Sequence, residues 1–266
     1  MPSHRVVYTY GRSIEGLFSG FSTFQNFLKT YGLSKSLQRA LIYFFSLLMY
    51  SSLHKDKSFT FNGRKIKYPS WFSHTERCIE IPIACDFLER NMAIGMRVLE
   101  IGNTLKQRCK EHRVVVDKYE VSPGVINEDI LTYHDDLRYD LVLSISTLEH
   151  VGFDEAEVVP DKPMLVLKHI LANCLVDGGK ALISVPLLYN PAIDKLVCRP
   201  LDPNIQVTAM VRTSLFNLWE QRPIEEVFKN PSEYSYEGRY FGASAIALLL
   251  IHADKPTKMT STNSEF

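Results

Sequence analysis

Five short segments, in a fixed order between residues 97 and 186, constrain what this chain can fold into. Three of them are runs of apolar residues that end in a small or acidic residue, as buried strands do. One is an acidic turn, and the last is a Gly-Gly turn that leads into a strand. In chain order they are residues 97–103, 114–117, 127–130, 139–152 and 177–186. Their alternation with helix-like stretches predicts a parallel sheet with helices on both faces.

Periodicity predicts further elements around this series. The predicted strands cover residues 97–101, 114–117, 140–146, 180–185 and 243–252, and the predicted helices cover about 75–91, about ten residues between the first two strands, and 164–175. Pro82 must lie in the first turn of its helix or kink it. Alternating residues about Asn62-Gly63 predict a β-hairpin.

The two ends of the chain lie outside the alternating region. Residues 21–53 have mostly helical periodicity, and the second predicted helix, 35–53, has an apolar face. That face would cover the main domain, pack in a homodimer or make peripheral membrane contact; its short apolar run favours the first two. The tail is polar and aperiodic, which is typical of disorder. We therefore expect an N-terminal helical extension with the hairpin at 1–70, an α/β domain at 71–253 and a disordered tail at 254–266.

Composition narrows the class of protein. The chain has 266 residues with thirty basic and thirty acidic side chains, so its formal charge is zero. Nucleic-acid-binding domains are usually basic, so we expect no nucleic-acid partner. The apolar runs at 40–50 and 243–253 are shorter than the roughly 20 residues of a transmembrane segment, and no signal core follows the first residues. We expect a soluble, cytoplasmic protein.

Cysteine usage indicates free thiols. The five cysteines form no C-x-x-C pair and their count is odd, so neither a disulfide framework nor a zinc site is expected. Free thiols fit a reducing cytosol. Cys78 and Cys85 would share a helix face as small apolar side chains.

Acidic residues follow or end the predicted strands. Glu100 and Gly102 close the first strand, Asp117 ends the second, and Asp129 lies in the acidic turn. In α/β folds that bind nucleosides, ligands lie at the carboxyl ends of the strands, and a carboxylate at the end of the second strand binds ribose hydroxyls. Structural alternatives remain open, because Asp117 could cap a helix and Asp129 could stabilise a turn.

In order and spacing the series resembles the class I S-adenosylmethionine (SAM)-dependent methyltransferases, over about residues 76–188. The resemblance implies a Rossmann-like sheet and SAM as the cofactor. It implies close backbone approach at Gly102, a hydrogen bond from Glu100 near the methionine amino group, and an adenine clamp at Asp129-Ile130. The implied cofactor-binding residues are Glu100, Gly102, Asn103, Asp117, Asp129, Ile130 and Ser146.

One position departs from the family pattern. The glycine turn usually has a second glycine two positions on, whereas here it reads Gly102-Asn103-Thr104-Leu105. Asn adopts the left-handed conformation more readily than most residues, so the turn can keep its shape. The Leu-Glu-Ile-Gly-Asn segment resembles a variant group of methyltransferase-like proteins, some associated with cell-surface sugar or lipid pathways. A non-catalytic binding or scaffold protein with a degenerate site is the alternative, and a nicotinamide-dependent dehydrogenase is disfavoured because no G-x-G-x-x-G is present.

The segment after the fourth strand supplies the catalytic candidates. Leu148-Glu149-His150-Val151 resembles the Leu-Glu-His segment of methyltransferases that act on small molecules, which implies a small-molecule acceptor. O-methylation is helped by a general base. We predict His150 as that base, since its reference pKa is near neutral, with Glu149 as second choice. A structural role for His150 is equally open.

The acceptor is expected under elements outside the common core. The candidates are the helix near Glu80 and the side chains Tyr189, Asn190, Trp219, Tyr236 and Tyr240, which would bind a planar or sugar acceptor or serve as ordinary packing. We predict no metal, because Asp135-Asp136 and Asp154-Glu155 are more simply solvated surface charges.

Overall fold

The computed structural model describes residues 56–71, 73–106, 108–109, 112–199, 202–238, 240 and 242–253, together with Leu41 and Phe44. Leu41 and Phe44 are helical and exposed. The rest of the helical region predicted at 21–53 and the tail predicted at 254–266 lie outside the described residues.

A two-stranded hairpin precedes an eight-stranded sheet in the described part of the chain. The hairpin consists of β1 (Ser58–Phe61) and β2 (Arg64–Lys67), and the sheet of β3 (Val98–Ile101), β4 (Val114–Val116), β5 (Val125–Ile126), β6 (Tyr139–Ile145), β7 (Leu175–Pro186), β8 (Ile205–Arg212), β9 (Trp219–Arg222) and β10 (Ala245–His252). The order across the sheet is β5-β4-β3-β6-β7-β10-β8-β9. The first five strands are parallel, and β10 is antiparallel to both β7 and β8. This order confirms the predicted Rossmann-like fold class.

Helices cover both faces of the sheet, as predicted. They are α1 (Arg77–Asn91), α2 (Lys162–His169), α3 (Pro191–Cys198) and α4 (Ile224–Lys229). One core contains α1 and the hairpin, packed on alternate residues of β6 and β10 such as Leu143 and Leu248. The other contains α2, α3 and α4, packed on the intervening residues such as Val142 and Leu249. The side chains of successive strand residues point to opposite faces, so each strand supplies both cores.

The hairpin forms where the sequence predicts it. Asn62 and Gly63 both have positive φ values, 47° and 76°, which suits the two-residue turn that the Asn-Gly pair favours. Phe59, Phe61 and Ile66 are buried in the same core as α1. The hairpin therefore packs directly on the sheet domain.

Several predicted boundaries were wrong. The described residues between β3 and β4 form turns instead of the predicted helix of about ten residues. Pro82 lies in the second turn of α1. β7 is twelve residues long and starts at Leu175, which pairs with Tyr139 at the start of β6. Gly178 and Gly179 form backbone hydrogen bonds with Ala253, just after β10. Residues 187–242, for which no strand or helix is predicted, contain α3, β8, β9 and α4.

The prediction of free thiols was wrong for two cysteines. Cys85, on α1, forms a disulfide with Cys109, in the loop between β3 and β4. The two are 24 residues apart in sequence, and no local spacing rule connects them. Cys78 and Cys174 are buried free thiols, as small apolar side chains can be. The argument from cysteine count to a reducing cytosol therefore fails.

Candidate functional site

The carboxyl ends of β3 and β6 meet where the strand order reverses. From β3 the sheet adds β4 and β5 on one side, then β6 and β7 on the other, and open α/β sheets bind ligands at such a point. Gly102, after β3, has a φ of 82°. A Cβ atom there would lie 2.1 Å from Oγ1 of Thr147, which follows β6. Both the backbone conformation and the approach of Thr147 therefore require glycine.

Glu100 organises the loop after β3. Its side chain is completely buried. One carboxylate oxygen accepts a hydrogen bond from the backbone N–H of Leu105 at 2.7 Å, and the other pairs with the guanidinium of Arg113. Burial raises the pKa of Glu100, although the Leu105 N–H and Arg113 oppose that rise. Both oxygens thus have protein partners, and the visible role of Glu100 is to hold the loop.

The turn after β4 lies against the glycine loop. Oδ1 of Asp117 accepts hydrogen bonds from the backbone N–H groups of Tyr119 and Glu120, each at 2.8 Å. Asn103 donates through Nδ2 to Oε1 of Glu120 at 2.8 Å, which joins the two loops. Asp117 therefore caps a turn with one oxygen, at the strand end where a ribose-binding carboxylate is expected.

Asp129 belongs to an ion-pair network. Its Oδ2 is 2.8 Å from Nζ of Lys162 and 3.0 Å from Nζ of Lys118, and both lysines also contact Glu155. Burial raises the pKa of Asp129, but the two lysines and the N–H of Leu131 outweigh it and hold the pKa at about 2. Asp129 thus stabilises its turn and ties the end of β5 to the segment after β6.

Ile130 and Ser146, the remaining predicted cofactor residues, are both buried. Ile130 packs in the core that contains α2. Ser146 follows β6 with a φ of 40°, a conformation that costs free energy and often marks functional sites. Its hydroxyl donates to Oε1 of Glu80 at 2.6 Å, and Ser184 donates to the same oxygen at 2.8 Å. Arg77 pairs with the other oxygen of Glu80 at 2.8 Å, so Glu80 locks α1 to the ends of β6 and β7.

Glu149 and His150 lie together in a short 3₁₀ turn after β6. The Glu149 side chain is 2 % exposed and that of His150 is 51 % exposed, with Oε1 of Glu149 3.6 Å from Nε2 of His150. Nδ1 of His150 bonds to Oδ2 of Asp154, which also accepts from the Tyr189 hydroxyl at 2.6 Å. Nδ2 of Asn190 donates to the backbone carbonyl of Glu149 at 2.8 Å. The turn is thus anchored from the segment that follows β7.

Burial raises the pKa of Glu149 to about 7, with a further rise from Glu80 opposed by His150 and Arg77. Burial alone would lower the pKa of His150, but Asp154 and Glu149 raise it above its ordinary value. The pair therefore offers a carboxyl whose pKa is raised to about 7 and, beside it, an imidazole whose pKa is raised above its ordinary value.

Only some of the predicted acceptor aromatics lie near this pair. Tyr189 packs against Tyr236 with the rings tilted and their centroids 4.7 Å apart, and it meets the His150 ring edge-on at 5.6 Å. Trp219 is a core residue, 3 % exposed, and donates to Asn217. The Tyr240 ring lies under the guanidinium of Arg212 at 4.5 Å.

Among the described residues no group of three or more His, Cys, Asp or Glu side chains could hold a metal ion. Within the same residues no helix combines the length and apolar character of a membrane span.

Several residues of this edge were missed by sequence reasoning. Arg113 supports Glu100, Lys118 and Lys162 neutralise Asp129, and Ser184 supports Glu80. The only usable signal was proximity to a predicted strand end, which applies to Lys118 and Ser184. The fold decides which side chain each of these residues contacts, so no sequence pattern predicts the contact.

No protein-family model matches the chain, and no curated protein matches it. Among solved structures it is similar to a SAM-dependent methyltransferase from Clostridium acetobutylicum, at 12% identity over 64% of this chain and 89% of that chain, with a TM-score of 0.35. It is also similar to the Burkholderia thailandensis 1,6-didemethyltoxoflavin-N1-methyltransferase, at 14% identity, 66% and 79% coverage and a TM-score of 0.37. A third is CalS10, an amino pentose methyltransferase from Micromonospora echinaspora, at 13% identity, 64% and 89% coverage and a TM-score of 0.34. Because these TM-scores are all below 0.5, the fold class rests on the strand order of the sheet and not on these similarities.

Proposed function

We propose that this chain is a SAM-dependent methyltransferase that acts on a small-molecule acceptor. The observation that carries the proposal is the meeting of Gly102 and Thr147 at the reversal of the strand order, with Asp117 at the neighbouring strand end. An open α/β sheet binds a nucleoside at this place. The order of the sheet and the chemistry of its edge support the same class of ligand.

The residues at this edge fit SAM, which carries no phosphate and needs backbone approach and carboxylates. Gly102 would allow the backbone to approach the cofactor. Asp117 would bind the ribose hydroxyls, and Asp129-Ile130 would lie at the adenine, with Asn103 shaping the loop between them. Glu100 and Ser146 would act by positioning, since Leu105, Arg113 and Glu80 already engage them.

When bound, the cofactor supplies a methyl group, whose C–S bond breaks as the bond to an acceptor oxygen or nitrogen forms. The acceptor loses one proton in the reaction. The chain's own contribution is to align the acceptor and to receive that proton, and Glu149 and His150 are the basic groups at this end of the sheet. We propose O-methylation of an acceptor that is sugar- or lipid-linked.

A non-catalytic binding protein is the second candidate. The specific observation in its favour is the pairing of Asp129 with both Lys118 and Lys162. That pairing must be opened or shared before Asp129 contacts an adenine amine. The two candidates differ in whether SAM binds.

Calorimetric titration of the full chain with SAM, S-adenosylhomocysteine and NAD tests the proposal. We expect both SAM-related ligands to bind and NAD not to bind, followed by methyl transfer in a screen of small hydroxyl and amine compounds. Absence of SAM binding at millimolar concentration would overturn the methyltransferase proposal and favour the binding protein.

Asp117→Asn tests the ribose assignment. Asparagine keeps an oxygen that accepts from Tyr119 and Glu120 but removes the charge, so the turn is preserved while a charge-assisted hydrogen bond to ribose is lost. Such a bond contributes about 1.5–3 kcal/mol, so we expect SAM to bind roughly 10- to 100-fold more weakly in calorimetry. Glu128→Gln, a change at a partly buried side chain nearby, is the control. Unchanged affinity in Asp117→Asn would show that Asp117 is only a turn cap.

A further inference from the structure

We propose that Glu149 and His150 form a two-residue path that carries the acceptor's proton to solvent, with Glu149 as the inner group and His150 as the outer group. In this arrangement Glu149 faces the acceptor, while Asp154 and Tyr189 are positioning residues for His150. The inference rests on the proposed function and reverses the order of catalytic candidates that the sequence suggests.

The inner position of Glu149 follows from its burial. Its Oε2 is inaccessible to solvent and has no hydrogen-bond partner in the described part of the chain. An unsatisfied buried carboxylate oxygen is costly, by about 1–3 kcal/mol or more for a charged group. Oε2 therefore needs a donor, and the hydroxyl or amine of an acceptor at the end of β6 would be one. The side-chain amide of Asn190 donates to the backbone carbonyl of Glu149, and this hydrogen bond fixes the position from which the Glu149 side chain extends.

The outer position of His150 follows from its contacts and exposure. Asp154 accepts from Nδ1, which sets the tautomer whose Nε2 carries a lone pair. Nε2 is the nitrogen that faces Oε1 of Glu149, at 3.6 Å, so a shift of less than 1 Å brings the two into hydrogen-bond contact. The ring is half-exposed, and the Asp154 side chain is 38 % exposed. A proton on His150 therefore reaches water directly.

Charges from each packed element act on the pair. From α1, Glu80 disfavours the Glu149 carboxylate while Arg77 favours it. From the segment after β6, Asp154 favours a charged His150. Tyr189, after β7, donates to Asp154 and restrains it. Glu80 is itself paired with Arg77 and hydrogen-bonded by two serine hydroxyls, whereas Oε2 of Glu149 has no donor in the described part of the chain.

The proton balance has three steps. As the acceptor oxygen or nitrogen bonds to the methyl carbon, its proton passes to Oε2 of Glu149, whose carboxylate becomes a neutral acid. After a half-turn about its Cγ–Cδ bond, which exchanges the positions of the two oxygens, that acid gives the same proton to Nε2 of His150; this restores the carboxylate and forms an imidazolium. The half-exposed imidazolium then releases a proton to water, and one proton leaves for each methyl group transferred.

Nuclear magnetic resonance of the full chain with labelled histidine tests the pairing without an acceptor. Loss of one signal in His150→Gln assigns the ring. We expect the wild-type His150 signals to titrate in two coupled steps, and a single step at lower pH in Glu149→Gln. Glu89→Gln, an exposed change on α1, should leave the titration as in wild type. A single His150 step that Glu149→Gln does not move would overturn the shared path.

Turnover with an acceptor from the screen tests the order of the two groups. We expect Glu149→Gln to lower kcat by about 10²–10⁴-fold, with SAM affinity unchanged and no rescue by imidazole buffer. His150→Gln should lower kcat less and recover in imidazole, because a buffer can replace an exposed proton carrier. Full turnover by Glu149→Gln, or a loss in His150→Gln without rescue, contradicts the proposed order. If the wild-type protein does not bind SAM, the proposed function is wrong. The NMR titration of His150 then still decides whether Glu149 and His150 share a proton.

Discussion

At the scale of single residues, the candidate site depends on a few positions where the residue type cannot be changed without strain. Gly102 is one, because it combines a left-handed backbone with a neighbour, Thr147, that leaves no room for a Cβ atom. Asn103 follows Gly102, and its side-chain amide donates to Oε1 of Glu120, which joins the two strand-end loops. This side-chain contact stabilises the turn.

Gly102→Ala should destabilise the protein and abolish SAM binding. The left-handed conformation alone costs roughly 1–2 kcal/mol for alanine, and the clash with Thr147 adds to it. Gly95→Ala is a matched control, since its φ is 88° and nothing lies within 4 Å of an added Cβ. Urea denaturation should show a larger loss of unfolding free energy for Gly102→Ala than for Gly95→Ala. Equal losses would mean that the loop moves away from Thr147 at little cost.

At the scale of elements, α1 and the loop between β3 and β4 act as one support for the site. Glu80 fastens α1 to Ser146 and Ser184 at the strand ends, and Cys85 fastens it to Cys109 in the loop. Sequence periodicity predicts α1 itself, but it cannot predict these cross-links. They depend on which face of the helix meets the sheet.

Replacing Cys85 and Cys109 by serine should lower the unfolding free energy by about 3 kcal/mol, the value for a closed loop of this length. The loss arises because the unfolded chain regains the freedom that the cross-link removes. Denaturation of oxidised and reduced protein measures it, and alkylation with mass spectrometry identifies the bonded pair. Cys174→Ser, at a buried free thiol, is the comparison. Free thiols at both positions in oxidised protein would contradict the bond.

At the scale of the whole molecule, acidic groups respond to pH in opposite directions. The pKa of Asp129 is held at about 2 against burial by Lys162, the Leu131 N–H and Lys118, so its contribution to stability is present above its ordinary pKa near 4 and is lost as the pH falls toward 2. Burial raises the pKa of Glu149 to about 7. The folded protein therefore keeps the proton on Glu149 at pH values above the pKa that this side chain has in the unfolded chain. Stability falls as the pH rises from about 4.5 through 7.

Thermal unfolding across pH separates these two groups. Glu149→Gln should melt at a higher temperature than wild type at pH 8 and near the wild-type temperature at pH 4, because the amide removes the cost of a buried charge. Asp129→Asn should melt at a lower temperature than wild type at pH 7, with the difference shrinking toward pH 2. The same pH dependence in both variants would contradict the assigned burial of Glu149 or the ion pairs of Asp129.

The sequence by itself determined strands β3, β4, β6, β7 and β10, apart from their exact bounds, and the positions of Gly102, Asp117 and Asp129 at or just after strand ends. These features are local or follow from one rule, since the carboxyl ends of parallel strands gather at one edge of a sheet. Only the tertiary structure decided the partners: Arg113 for Glu100, two lysines for Asp129, and a disulfide for Cys85. Each pair is distant in sequence, and its contact depends on side-chain direction and burial, which no periodicity encodes. The same reason separates buried Glu149 from exposed His150, although the two are neighbours in the chain.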